Sequence, residues 1–108
     1  MSVFPRRLTL CAAATALLPV AVSAPAAAET HVVVIDHMKY APVPPLKRGD
    51  VVEFVNRDLF RHTVTATNGK FNLDLMPGTS GRLTINSAGT AAFFCKYHPG
   101  MRGSMTAQ

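Results

Sequence analysis

The sequence predicts an all-β fold, a Greek-key β-sandwich of seven or eight short strands, and three observations carry that prediction. No helical period holds after residue 30. Short alternating or β-branched stretches recur instead, at the spacing of a sandwich. Turn residues such as Lys47-Arg48-Gly49-Asp50, Asn68-Gly69 and Ala88-Gly89 divide them.

The first segment in the chain is a leader rather than a strand. Arg6 and Arg7 supply a charged start, Leu8 to Val22 an apolar stretch, and Ala26-Ala27-Ala28 the small residues of a cleavage site. Pro19 interrupts the apolar run, which falls short of the roughly 20 residues of a membrane-spanning helix. The expectation is a secretion signal peptide over residues 1–28, removed so that the mature chain begins at Glu29 in the periplasm, with no stable membrane insertion. Leu8-Thr9-Leu10 fits a twin-arginine signal poorly, which favours the general secretory route, and Cys11 is lost with the leader. Residues 29–108 suffice for one small domain and not for two.

Within that domain, His31 to Asp36 is a short β-branched run of the kind that forms a buried strand. Three prolines between Ala41 and Pro45 exclude regular structure there. In Val51 to Asn56, Val52 and Phe54 alternate with Val51, Glu53 and Val55. His62 to Ala66 alternates again and turns His62 inward with Val64 and Ala66. Asn68-Gly69 marks a hairpin. Strands are expected at Phe71 to Leu75, at Arg82 to Asn86, at Thr90 to Cys95 with Phe93 and Cys95 on one face, and at Arg102 to Ala107.

Loss of Cys11 leaves Cys95 as the lone thiol of an exported domain, where cysteines ordinarily pair. Such a thiol is an inert core group, a nucleophile or a metal ligand. The heptapeptide Cys95-Lys96-Tyr97-His98-Pro99-Gly100-Met101 favours the third, because it offers a thiolate, an imidazole and a thioether in one tight loop. With His62 added, the donor set is that of a type 1 copper site. Met105 shares the strand parity of Met101 but reads as core, and His31 and His37 lack a nearby thiol and read as surface or edge residues. Met38, Leu59, Phe60 and Met76 are either packing or an apolar rim around His98.

Charge excludes more than it identifies. The chain carries 11 Lys and Arg against 6 Asp and Glu, but two of the cations lie in the leader and the rest are scattered. There is neither the clustering nor the aromatic interleaving of a nucleic-acid interface. Arg57, Arg61, Lys96 and Arg102 lie beside the candidate ligands and bias the site toward an acidic partner.

From about Val32 onward the chain resembles the cupredoxin family of small blue copper proteins, within it the amicyanin and plastocyanin branch. The match rests on Met38-Lys39-Tyr40, Gly49-Asp50 with Val52, Asn56-Arg57-Asp58 leading to His62, Pro77-Gly78, Ala88-Gly89-Thr90, and Cys95, His98-Pro99 and Met101-Arg102-Gly103. The short Cys-x-x-His-x-x-Met loop is the amicyanin form. The resemblance implies one copper ion held by His62, Cys95, His98 and Met101, with Cys95 as the thiolate, His62 as the buried imidazole, His98 as the exposed one and Met101 as the axial ligand. Phe54, Val64 and Phe93 would form an apolar shell that tunes the potential. It further implies a monomeric electron shuttle, not an enzyme, whose donor and acceptor are redox proteins docking near His98. A copper carrier using the same ligands is the alternative. Three departures stand out: Thr63 stands where the family often has an asparagine that braces the cysteine loop, with a hydroxyl able to bond across, Arg61 stands where amicyanins often have a proline, and Lys96-Tyr97 stand where a threonine and a proline are common.

Overall fold

Alternating apolar residues in short runs give eight strands packed as two sheets in the computed structural model, which describes residues 2–5, 9–21 and 27–108. The strands are β1 (Thr30–Asp36), β2 (Lys39–Tyr40), β3 (Val51–Asn56), β4 (His62–Ala66), β5 (Asn72–Leu75), β6 (Ser80–Thr84), β7 (Gly89–Phe94) and β8 (Arg102–Ala107). One sheet has the order β2-β1-β3-β6 and the other β5-β4-β7-β8. Strands β1 and β3 run parallel, from Thr30 opposite Val51 to Ile35 opposite Asn56, and the other strand pairs are antiparallel. The all-β sandwich expected from the sequence is the observed fold.

The core lies between the sheets, where period-two alternation sends one side of each strand. Val33 and Ile35 of β1 and Val52 and Phe54 of β3 are buried together with Val64, Leu75, Phe93 and Met105. Phe93 is the hub, meeting Tyr40 edge-on at 4.8 Å and Phe54 at 5.7 Å between ring centroids. A Cβ on Gly103, opposite Phe93 in the β7–β8 ladder, would fall 2.5 Å from that ring, so only glycine lets the last strand lie this close.

The bounds of strands β1, β5 and β7 differ by one residue from the sequence expectation, Cys95 falling just after β7, and three other elements differ more. Strand β2 is paired to β1 through His37 and Met38, both at positive φ (51° and 60°), a turn that neither glycine nor asparagine announces. Strand β6 begins and ends two residues earlier than Arg82 to Asn86, because its register is set by pairing Ser80 with Val55 and Thr84 with Val51. In β4 all five residues are buried, the threonines included, since Thr65 Oγ1 bridges Thr63 Oγ1 and Asn72 Oδ1 at 2.9 and 2.6 Å. Polar side chains tolerate burial when so satisfied.

Of the segment expected to be a leader, Arg6, Arg7, Leu8, Val22 and Ala26 lie outside the described residues. Residues 2–5 and 9–21 are exposed and form neither helix nor strand, and among the described residues no helix is long and apolar enough to cross a membrane.

Candidate metal centre

Strand β4 fixes the first histidine, and the segment before it decides how the ring is held. Asn56, fully buried at the end of β3, donates from Nδ2 to the carbonyls of Phe60 (2.8 Å) and Leu75 (3.0 Å) and accepts the Asp58 N–H at 2.9 Å. That one amide folds residues 57–61 into a loop over the end of the sandwich. Asp58 is thereby placed four residues before His62, with Oδ2 2.8 Å from His62 Nε2 and 2.9 Å from the Met38 N–H that donates to it. The His62 bond, then the Met38 N–H, hold the Asp58 carboxyl below the usual carboxylate range. With Nε2 engaged, Nδ1 is the nitrogen His62 turns toward Cys95.

The second element is the loop after β7. Cys95 N–H donates to the Met101 carbonyl at 3.1 Å and Met101 N–H to the His98 carbonyl at 3.0 Å, which closes residues 95–101 into a compact hoop. Gly100, at φ 97°, supplies the left-handed turn this requires. Thr63 ties hoop to strand: its N–H donates to Cys95 Sγ at 3.3 Å, and its hydroxyl oxygen accepts the Lys96 N–H at 2.9 Å. The hydroxyl thus does bond across to the cysteine loop, as expected.

Together these elements bring His62, Cys95 and His98 to one point, with one donor atom from each lying within 4.8 Å of the others. Cys95 Sγ and His62 Nδ1 are 3.8 Å apart, and the two imidazole centroids 4.8 Å. The sulfur–nitrogen gap suits donors sharing an ion with bonds of about 2.0–2.3 Å. His98 Nε2 lies 3.2 Å from the Arg61 carbonyl, leaving Nδ1 as the nitrogen available to the common point. One soft thiolate and two imidazoles, each steadied through its far nitrogen, fit a copper ion. Met101 is buried at the closing end of the same loop, in the cluster that contains Cys95.

Burial grades the site from inside to outside. His62 and Cys95 are fully buried, while His98 is half-buried with Phe60 edge-on to its ring at 6.0 Å. Phe60, which meets the His98 ring, is exposed, and so are Met38, Leu59 and Met76, which favours exposed apolar surface over packing for all four. Phe54, Val64 and Phe93 are buried in the cluster that also holds Cys95. On one flank Arg61 grips Asp74 through Nε (2.8 Å) and Nη2 (2.6 Å) and lies over the Tyr97 ring, whose hydroxyl donates to Asp74 at 3.1 Å. Each ion of that pair stabilises the other, so Arg61 is raised and Asp74 lowered; partial burial, then the Asp74 contact, raise the Tyr97 phenol.

Asp58 and Asn56 are the residues whose roles sequence reasoning missed. The run Asn56-Arg57-Asp58 leading to His62 was the available signal. His31 also departs from a plain surface position: its Nε2 lies 3.0 Å from the buried Asp50. His37 is exposed, as expected.

Comparison with known proteins agrees with this geometry. A cupredoxin-like domain model matches residues 8–107. The chain is similar to the amicyanin of Paracoccus versutus, 34% identical over 85 residues, covering 72% of this chain and 64% of that relative, slightly under two thirds of its length. The crystal structure of amicyanin from Paracoccus versutus superposes with a TM-score of 0.63 at 31% identity, covering 80% of this chain and 86% of that one. A reduced Cu(I) form of an amicyanin mutant at pH 4 gives 0.62 at 33% identity, over 73% and 82%.

Proposed function

The chain belongs to the cupredoxin-like family, and from that premise we propose that it is an exported type 1 copper protein that passes single electrons between redox proteins, with His62, Cys95, His98 and Met101 as the ligands. The observation that carries the proposal is the convergence of one thiol and two imidazoles within 4.8 Å at the apolar end of a β-sandwich. Copper bound there supplies a one-electron couple. The protein's part is to keep the donors in place in both oxidation states. Asp58 orients His62, the Thr63 N–H steadies the Cys95 sulfur, and the hoop hydrogen bonds fix the spacing between Cys95 and Met101.

His98 is the way in and out for the electron, because it alone of the three grouped donors is half-buried and its surroundings are apolar and exposed. A redox partner docking there covers Leu59, Phe60 and Met76. The exposed cations Arg57, Lys96 and Arg102 beside the rim favour an acidic partner surface, whereas Arg61 is already matched by Asp74. The protein is a monomeric carrier without catalytic residues. Its leader, residues 1–28, is removed on export to the periplasm.

Addition of Cu(II) to the mature protein produces an intense blue colour and a narrow copper hyperfine pattern in the EPR spectrum, and Cys95→Ser abolishes both. A variant that stayed blue would overturn the ligand set. Ready release of copper to a competing chelator in both oxidation states would instead point to a copper carrier with the same donors.

A further inference from the structure

At the end of the sandwich away from Cys95, one buried carboxylate is surrounded by donors. Asp50 precedes β3 and is 1% exposed. Its Oδ1 accepts the Glu29 N–H at 3.0 Å and lies 3.1 Å from Lys47 Nζ; its Oδ2 accepts the Lys47 N–H at 3.0 Å and lies 3.0 Å from His31 Nε2. The Glu29 bond, with support from Lys47 and His31, holds this carboxyl far below the usual carboxylate range. The titratable groups facing it are Lys47 and His31. The Glu29 carboxylate lies beyond them, 3.7 Å from Lys47 Nζ and 3.8 Å from His31 Nε2, and Arg48 on the same loop is exposed.

Glu29 also immediately precedes β1. Its carbonyl accepts the Val51 N–H at 2.9 Å, so its backbone is gripped on both sides, while Ala27 and Ala28 before it are exposed and unpaired in any strand. The small-residue cleavage motif and the nitrogen held by Asp50 therefore meet at the same peptide bond. We infer that Asp50 is the receptor for the mature N-terminus: hydrolysis of the Ala28–Glu29 bond by a leader peptidase turns the Glu29 amide into an α-ammonium that ion-pairs with the Asp50 carboxylate. This rests on the reading of residues 1–28 as a cleaved leader. Water supplies the oxygen that leaves Ala28 as a carboxylate, and the Glu29 nitrogen departs with its hydrogen and takes up protons. One neutral donor at 3.0 Å becomes a cation with three. A buried carboxylate gains most from a partner of that kind. Cleavage one or two residues earlier leaves a neutral amide at the same place, so the pocket distinguishes among the alanines of the motif.

The test uses copper-loaded protein released from a fusion so that it begins at Glu29, beside a form beginning at Ala27, with the α-amine of each titrated by trace acetylation from pH 6 to 11. The Glu29 amine is expected to titrate about one pH unit or more above the ordinary range of roughly 7.7–8.0, and to react about tenfold more slowly at pH 8 than the Ala27 amine. Asp50→Asn returns it to the ordinary range; if that variant does not fold, the Ala27 form still provides the comparison. An ordinary value for Glu29 overturns the pairing. The mass of the exported protein tests the leader separately: a start at Glu29 supports the proposal, and a different start overturns the leader boundary whatever the amine titration shows.

Discussion

Two aspartates mark the two ends of β3, and each accepts backbone N–H groups and contacts the Nε2 of a histidine. Asp58 receives Met38 and Leu59 N–H groups and meets His62; Asp50 receives Glu29 and Lys47 N–H groups and meets His31. The pairing is nearly the same, and the outcomes differ because of what lies beyond the ring. His62 presents its other nitrogen to Cys95 Sγ at 3.8 Å, whereas His31 sits among Lys47 and Glu29 with no thiol near. A carboxylate–imidazole pair is thus an orienting device in one place and an anchor in the other, and the soft donor decides which.

Exchanging each carboxylate for an amide tests that distinction most severely. Asp58→Asn should weaken copper affinity about 10- to 100-fold, read by chelator competition, since the ring of His62 loses its anionic partner. Asp50→Asn should leave affinity and colour unchanged and lower the denaturation midpoint. Equal loss of copper affinity in both would erase the contrast. Next in size is the response to acid. Both carboxyls are held low in the folded protein, so stability is full above the unfolded carboxylate value of about 3.9 and drains as pH falls below it toward the depressed folded values. Stability measured from pH 6 to 2 should fall less steeply in either variant.

A smaller effect separates the two buried methionines. Met101→Leu should shift the reduction potential, while Met105→Leu, a volume-conserving change deep in β8, should leave the potential alone and cost less than about 1.5 kcal/mol. The reverse pattern would move the axial ligand. Smallest is Tyr97→Phe, which removes an exposed hydroxyl from Asp74 and should preserve both colour and melting temperature, altering only the rate with a redox partner.

Legibility in the sequence followed locality. The bounds of strands β3, β4 and β8 were readable to the residue because each is a local run of five or six positions, although β4 is buried on both faces instead of alternating. Three of the four candidate ligands share one heptapeptide, so their chemistry was visible in a single stretch. Strand β2 was not visible: two residues carry no period, and its turn places His37 and Met38 at positive φ with the help of Asp36 and Asp58 side chains. Nor was the work of Asn56, whose amide joins Leu75, nineteen residues away, to the loop before His62. The shift of β6 has the same origin, since pairing with β3 outweighs its own pattern.

The parallel pairing of β1 with β3 also imposes an order in time. Strand β1 is the first part of the domain to be synthesised or threaded, yet its partner from Val51 to Asn56 arrives only after the proline-rich crossing has followed it. Non-local strand pairs close slowly. A chain that emerges from its N-terminus therefore carries its opening strand unpaired until some twenty further residues have followed, and that strand stays extended and open to other contacts for as long as the delay lasts.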